Sequence, residues 1–145
     1  MKKLNYIITL SLLVFLGCSE KQNDGVSEVH WDRDMCARCV MVVSDRHNTV
    51  QVKDSKGKAY MFDDIGCMIL WFEEEHPELK ESSKIYITDV KDGSWIDARE
   101  AFYTTQNITP MAFGFSAYKS KVNIPKDEEV IDYNEVYKRV LKPKK

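Results

Sequence analysis

The segment DMCARCVM, residues 34–41, holds four sulfur-containing side chains within a short span. Cys36 and Cys39 are separated by two residues, and Met35 and Met41 flank the pair. This spacing is compatible with a small-loop disulfide, a zinc knuckle, a thiol redox pair or a site for a soft metal ion. The chemistry of the segment therefore depends on which other ligands the fold brings to it.

Thiolates and thioethers together favour Cu(I) among the metals that proteins commonly bind, because both are soft ligands. A Cys-x-x-Cys-x-Met run is therefore a candidate Cu(I) site, and Met111, which follows Thr109-Pro110, is a candidate distant ligand. Cys67 is a secondary candidate, since the dipole of the helix predicted to begin near it would lower the pKa of its thiol. Zinc gains little from a thioether, but three thiols with His30 or His47 would satisfy it.

A thiol redox pair is the main catalytic alternative for Cys36 and Cys39. A thioredoxin-like motif has a strand before it and a helix that opens at the first cysteine. Here a polar segment precedes the pair, and the strand-like run VMVV, residues 40–43, follows it. The neighbouring carboxylates Asp63 and Asp64 precede a predicted helix, so capping is the simpler interpretation of both.

The first residues predict export of the chain. Lys2 and Lys3 precede an apolar run over residues 6–16, which is too short to cross a bilayer and typical of a signal peptide over residues 1–17. Cys18 directly follows Gly17, as in bacterial lipoprotein signals, so we expect Cys18 to carry the lipid. Residues 18–29 then form a polar tether, and residues 30–145 form the domain.

Composition and charge point to one globular domain outside the cytoplasm. The 145 residues are 43% hydrophobic and carry a net charge of −2, which gives no indication of nucleic-acid binding. Without residues 1–17 the charge is −4, from 19 basic and 23 acidic residues. With Cys18 acylated, Cys36, Cys39 and Cys67 remain; three thiols cannot all pair within the chain, and a bound metal would protect them from oxidation.

The elements that must position these residues begin with a predicted hairpin over residues 49–62, whose turn is DSKGK. A helix is predicted within residues 63–77, capped by Asp63 or Asp64 and ended by Pro77, and a strand over residues 84–90.

The second half shows two further predicted strands, residues 98–105 and 111–118. A short strand over residues 128–133 and a helix over residues 133–142 complete the chain. The order of elements is compatible with a weak internal duplication of a β-β-α-β unit.

Four motifs together resemble the NosL family of nitrous-oxide reductase accessory lipoproteins. They are DMCARCVM, AYMFDDIGCMILW, GSWIDAREAFY and TPMAFGFSAY, and they occur in the family's order over roughly residues 30–120. The resemblance implies two β-β-α-β units in an α+β fold similar to organomercurial lyase. Residues 119–130 are short for the family and contain Pro125, so a truncated second unit is expected.

The resemblance also implies a function without catalysis. It predicts a lipid-anchored Cu(I) chaperone on the periplasmic side of the membrane, which delivers copper to the copper-sulfide cluster of nitrous-oxide reductase. Cys39 and Met41 match the family's Cys-x-Met, and Met111 matches its later methionine. Cys36 would be a further thiolate or a handover group, while Cys67 and His30 stay secondary candidates.

Two other hypotheses stay open at the level of sequence. One is a thiol–disulfide oxidoreductase that uses Cys36 and Cys39. The other is a structural lipoprotein with a zinc site or a plain disulfide. The copper hypothesis is the one that accounts for the methionines as well as the cysteines.

Overall fold

A computed structural model describes residues 25–142, and the predicted signal peptide and Cys18 lie outside these residues. Four strands form the first antiparallel sheet, in the order β2-β1-β3-β4. They are β1 (Val50–Lys53), β2 (Ala59–Phe62), β3 (Lys84–Thr88) and β4 (Trp95–Asp97). Helix α1 (Ile65–Glu74) and the short helix α2 (Leu79–Ser82) lie between β2 and β3 in sequence.

Alternation along the strands decides which face of this sheet is buried, because successive side chains point to opposite sides. Val50 and Val52 of β1, with Ile85 and Ile87 of β3, are fully buried on one face. On the same face, Tyr60 of β2 packs against Trp71 of α1 at a tilted angle, with ring centroids 4.9 Å apart. Helix α1 therefore covers this inner face, and Gln51, Tyr86 and Trp95 point to the opposite, outer face.

A second antiparallel sheet has the order β6-β5-β7. Its strands are β5 (Phe102–Thr104), β6 (Ser116–Tyr118) and β7 (Val130–Ile131), and helix α3 (Tyr133–Leu141) follows them. The two sheets meet where the Val90 amide donates to the carbonyl of Ala117. Helix α3 reaches α1 through Tyr137, whose hydroxyl donates to Glu73 at 2.6 Å.

The predicted α+β class, the hairpin over residues 49–62 and the helices near residues 63–77 and 133–142 are confirmed. Strand β1 pairs with β2 from Val50 opposite Phe62 to Lys53 opposite Ala59. The second half matches the first only in part. In it, a single 3₁₀ turn over Lys121–Asn123 stands between β6 and β7, where the first half has α1.

Two predicted strands are much shorter than the sequence indicated. Residues 98–101 do not join β5, because the Asp97 carboxylate accepts from the Arg99 amide and turns the chain. Residues 111–115 do not join β6, since Ala112 and Gly114 adopt left-handed backbone conformations with φ of 57° and 85°. In both segments turn geometry overrides the strand propensity of the aromatic residues nearby, through a local side-chain contact in the first and two left-handed residues in the second.

Part of the segment predicted as a tether is fastened to the outer face of the first sheet. The Ser27 amide donates to the Gln51 side chain at 2.7 Å, and the Gln51 amide group donates back to the Ser27 carbonyl at 3.0 Å. The ammonium of Lys53 donates to the Gly25 carbonyl at 2.7 Å. The chain therefore enters the domain across this face.

Candidate metal centre

A tight hairpin over residues 35–42, which we call the cysteine hairpin, presents two of the thiols. The Cys36 amide donates to the Met41 carbonyl at 2.8 Å, and the Val40 amide donates back to the Cys36 carbonyl at 3.0 Å. The hairpin adds to the free edge of β2, where the Ala37 amide donates to the Met61 carbonyl at 2.8 Å. Backbone pairing thus positions Cys36 and Cys39, and the Arg38 guanidinium between them donates to the Glu74 carboxylate of α1 at 2.9 Å and 3.0 Å.

The closure of this hairpin requires a strained residue. Val40 has a φ of 61°, in the left-handed region that β-branched residues avoid. Its side chain is nevertheless 66% exposed, so burial of apolar surface does not offset the strain. Met41, the next residue, is also exposed. Val40 and Met41 directly follow Cys39 in the sequence.

Helix α1 contributes the third thiol and a carboxylate. Cys67 lies in the first turn of α1, and Asp63 lies just before the helix. The ligand atoms of four side chains lie within 4.8 Å of one another: Cys36, Cys39, Asp63 and Cys67. Cys39 is only partly buried and the other three are buried, so the cluster opens to solvent on the side of Cys39.

Hydrogen bonds among the thiols distribute charge unevenly in the cluster. The Cys67 thiol hydrogen-bonds to the Cys36 sulfur, and this contact is the main reason that the pKa of Cys36 falls to about 4. The backbone amide of Cys39 supports the same thiolate, at 3.5 Å from the Cys36 sulfur. These contacts favour the thiolate form of Cys36, which is the form of a cysteine that binds a metal cation.

The prediction that the helix dipole lowers the pKa of Cys67 is wrong. Because Cys67 is the hydrogen-bond donor to Cys36 and is buried, its pKa is raised. Burial raises the pKa of Cys39 to about 11. The pKa of Asp63 also rises, first through burial and then through the negative charge of Cys36.

Asp63 is a residue that the sequence analysis assigned only to capping. The Cys39 thiol donates to Asp63 Oδ2 at 3.4 Å, and the Asp63 side chain is buried in the cluster. The neighbouring Asp64 is the actual N-cap, since its side chain accepts from the Gly66 amide. The available signal was the pair itself, because a helix start has one N-cap position and two adjacent carboxylates cannot both occupy it.

A second loop is fastened to the same end of α1 and carries Met111. Asp64 Oδ2 accepts from the Thr109 hydroxyl at 2.7 Å and from the Met111 amide at 3.1 Å. A Cβ on Gly66 would collide with the ring of Phe113, so only glycine in the first turn of α1 allows this loop to approach. The motifs DDIGC and TPMAFGF are thus two halves of one packing contact.

The remaining predicted ligands take different positions. Met41 contributes its carbonyl to the cysteine hairpin and leaves its side chain 57% exposed. His30 lies outside the four-residue cluster, and its imidazole is 3.6 Å from the carboxylate of Asp34. His47 is also outside it, with Nδ1 3.0 Å from the Val90 carbonyl. No histidine of residues 25–142 joins the cluster.

These features define a small α+β domain with a thiol-rich candidate metal centre at the start of a helix. A sequence model of the NosL family matches residues 29–134, which include every residue of the cluster. The chain belongs to the NosL family.

The comparison with solved structures agrees with this assignment. The crystal structure of the copper chaperone NosL from Shewanella denitrificans aligns with a TM-score of 0.63 at 13% identity. The alignment covers 77% of this chain and 95% of that one, so the two share a fold. None of the curated proteins matches this chain. Within residues 25–142, no helix is long and apolar enough to span a membrane.

Proposed function

We propose that this protein is a lipid-anchored Cu(I) chaperone of the extracytoplasmic space. The observation that carries the proposal is the convergence of three thiols, from two separate segments, on one point that opens to solvent through Cys39. NosL is a family of copper chaperones rather than of enzymes, and the Shewanella denitrificans relative is a copper chaperone. Soft sulfur ligands and a low coordination number suit a Cu(I) cargo that must be released again.

The ligand roles follow from burial. Cys36 and Cys67 form the buried side of the site, and Cys39 forms its exposed side. Met41 lies on the exposed side of the site, two residues after Cys39. Met111 belongs to the loop that hydrogen-bonds to Asp64 at the start of α1. Copper exchanges by stepwise ligand substitution, in which an incoming ligand binds at the Cys39 side before the buried thiolates release the ion.

The acceptor that the family resemblance implies is nitrous-oxide reductase, through its copper-sulfide cluster. Acylation of Cys18 would hold the chaperone on the periplasmic side of a membrane, beside enzymes that receive copper there. A transfer assay tests the acceptor directly. Copper-loaded chaperone and copper-free reductase are mixed and separated, and the copper content of each is measured. We expect copper to move to the reductase, and copper that stays on the chaperone would contradict this acceptor.

An anaerobic Cu(I) titration of the reduced protein against a chromophoric chelator tests the site. We expect stoichiometric binding that outcompetes the chelator, and loss of that binding in Cys39→Ser with the fold retained. Met68→Leu is the matched control, since Met68 is fully buried in the core of the domain. Unchanged Cu(I) affinity in Cys39→Ser would exclude the assignment.

A structural zinc site is the second candidate, because three thiols and one carboxylate supply the four ligands that such a site requires. Stoichiometric zinc that Cu(I) cannot displace would favour it. The oxidoreductase hypothesis finds less support in the geometry. The low-pKa thiol, Cys36, is 1% exposed, so a substrate disulfide cannot reach it without a rearrangement of the cysteine hairpin.

A further inference from the structure

The outer face of the first sheet carries an aromatic groove that the copper site does not use. Its volume is about 780 Å³, and its walls include the half-buried rings of Trp31, Tyr86 and Trp95. We call these three rings the aromatic face. Rings with an apolar body and a polar N–H or O–H are enriched where proteins meet the boundary between lipid headgroups and acyl chains.

The chain leaves the domain beside this face. Gly25 has a φ of 84°, and a Cβ there would collide with the hydroxyl of Tyr86, so the backbone passes against the hydroxyl end of that side chain. The hydrogen bonds from Lys53 to Gly25 and between Ser27 and Gln51 hold the segment in place. Only six residues lie between Cys18 and Gly25, so the seven Cα-to-Cα steps reach about 25 Å when fully extended.

We propose that the aromatic face lies against the surface of the phospholipid bilayer in which the Cys18 lipid is inserted. The inference rests on the acylation of Cys18 in the proposed function. A short tether keeps the domain at an effective concentration of the order of millimolar near the membrane, so even a weak contact is populated. The length of the tether and its exit point make this face the one nearest to the lipid.

The charges around the groove indicate what kind of contact this is. The carboxylates of Glu28 and Asp97 line it, Lys53 and Lys84 lie on the same side of the sheet, and the Arg46 guanidinium lies 5.1 Å from the centroid of the Trp31 ring. Two acidic and three basic groups leave only a small net positive charge, so the attraction to an anionic surface is weak. The contact therefore depends on the aromatic rings, and it should form on zwitterionic phosphatidylcholine and persist at high salt.

This orientation would leave the thiol cluster free for exchange. Tyr86 and Trp95 of the aromatic face belong to β3 and β4, and Trp31 lies on the segment before the cysteine hairpin, whereas the hairpin itself joins β2 at the other edge of the sheet. The cluster also involves α1, which covers the inner face. With the aromatic face on the bilayer, Cys39 and Met41 open toward the aqueous phase, where an acceptor protein would approach.

Tryptophan fluorescence of the full-length acylated protein tests the contact. The protein is reconstituted in phosphatidylcholine vesicles whose acyl chains carry bromine, which quenches nearby indoles. Trp31 and Trp95 belong to the aromatic face, while Trp71 is 2% exposed in the core. We expect Trp71→Phe, which keeps the two face tryptophans, to lose most of its emission. The double variant Trp31→Phe/Trp95→Phe, which keeps only Trp71, should lose little.

Circular dichroism verifies that both variants fold. If Trp71→Phe does not fold, the quenching of the wild-type protein is compared with that of the double variant instead. Equal quenching in the two, or quenching that disappears at high salt, would overturn the proposal. The proposal would also be overturned if chemical cross-linking places a second copy of the protein on the aromatic face and the bromine quenches neither variant. Mass spectrometry of Cys18 distinguishes a failure of this proposal from a failure of the proposed function. An unmodified Cys18 would rule out the lipid anchor and with it this proposal. The Cu(I) titration tests the metal site independently of the anchor.

Discussion

Two loops meet at the start of α1, and they are built in opposite ways. The cysteine hairpin is closed by backbone hydrogen bonds and leaves Val40 and Met41 exposed, with Val40 in a strained conformation. The loop of Met111 is held by the buried carboxylate of Asp64 and by the ring of Phe113 against Gly66. The difference suggests a division of labour, in which the first loop exchanges the metal and the second sets the shape of the site.

Removal of the Asp64 carboxylate, which holds the Met111 loop, should have the largest effect on stability. We expect Asp64→Ala to lower the free energy of unfolding by about 3 kcal/mol, because it deletes a helix cap and leaves buried donors without an acceptor. Urea denaturation measures this loss. Asp132→Ala is the matched control, since Asp132 caps α3 through the Glu135 amide on the surface, and it should cost only about 1 kcal/mol. Equal losses would show that the Met111 loop is not anchored through Asp64.

The contact between Gly66 of α1 and Phe113 of the Met111 loop predicts the second-largest effect on stability. Alanine normally stabilises a helix relative to glycine by about 1 kcal/mol. We expect Gly66→Ala to destabilise the domain instead, by about 1–2 kcal/mol, because its Cβ overlaps the Phe113 ring. Thermal unfolding of Gly66→Ala and of Gly66→Ala/Phe113→Leu checks this. The second substitution should recover part of the stability, and a simple gain in Gly66→Ala would refute the contact.

The two methionines should differ in what their loss affects. Met111→Leu is expected to raise the Kd for Cu(I) by about tenfold, or about 1.4 kcal/mol, if the anchored loop completes the site. Met41→Leu should change the Kd little but slow the transfer of copper to a chelator, because Met41 is on the exposed side. Competition titrations and stopped-flow transfer measure the two quantities. The reverse pattern would contradict the division between the loops.

Relief of strain in the cysteine hairpin should produce the smallest change, and in the favourable direction. Val40→Gly is expected to raise the free energy of unfolding by about 1 kcal/mol, since glycine adopts a positive φ without a steric penalty. Val42→Gly is the control in the same hairpin, at a partly exposed position without positive φ, and it should be destabilising. Equilibrium denaturation of both variants, with Cu(I) stoichiometry as a check, decides whether the strain is real.

Local sequence determined much of the fold. The turn DSKGK between alternating valines and the returning strand specifies the β1–β2 hairpin, because both the turn and the alternation involve neighbouring residues. The start of α1 follows from a capping aspartate, and its end from Pro77. The Cys-x-x-Cys-x-Met spacing likewise predicts a sulfur-rich site without any knowledge of the rest of the chain.

Only the tertiary structure decided which ligands complete that site. Asp63 and Cys67 join Cys36 because the cysteine hairpin pairs with the edge of β2, just before α1 begins. The segment around Met111 was predicted as a strand and is a turn, since Asp64, 47 residues away, binds its backbone. The direction of the Cys67 pKa shift was also invisible in the sequence. A helix dipole can be inferred from residues close in the chain, whereas the burial and the thiolate partner that override it come from a distant segment.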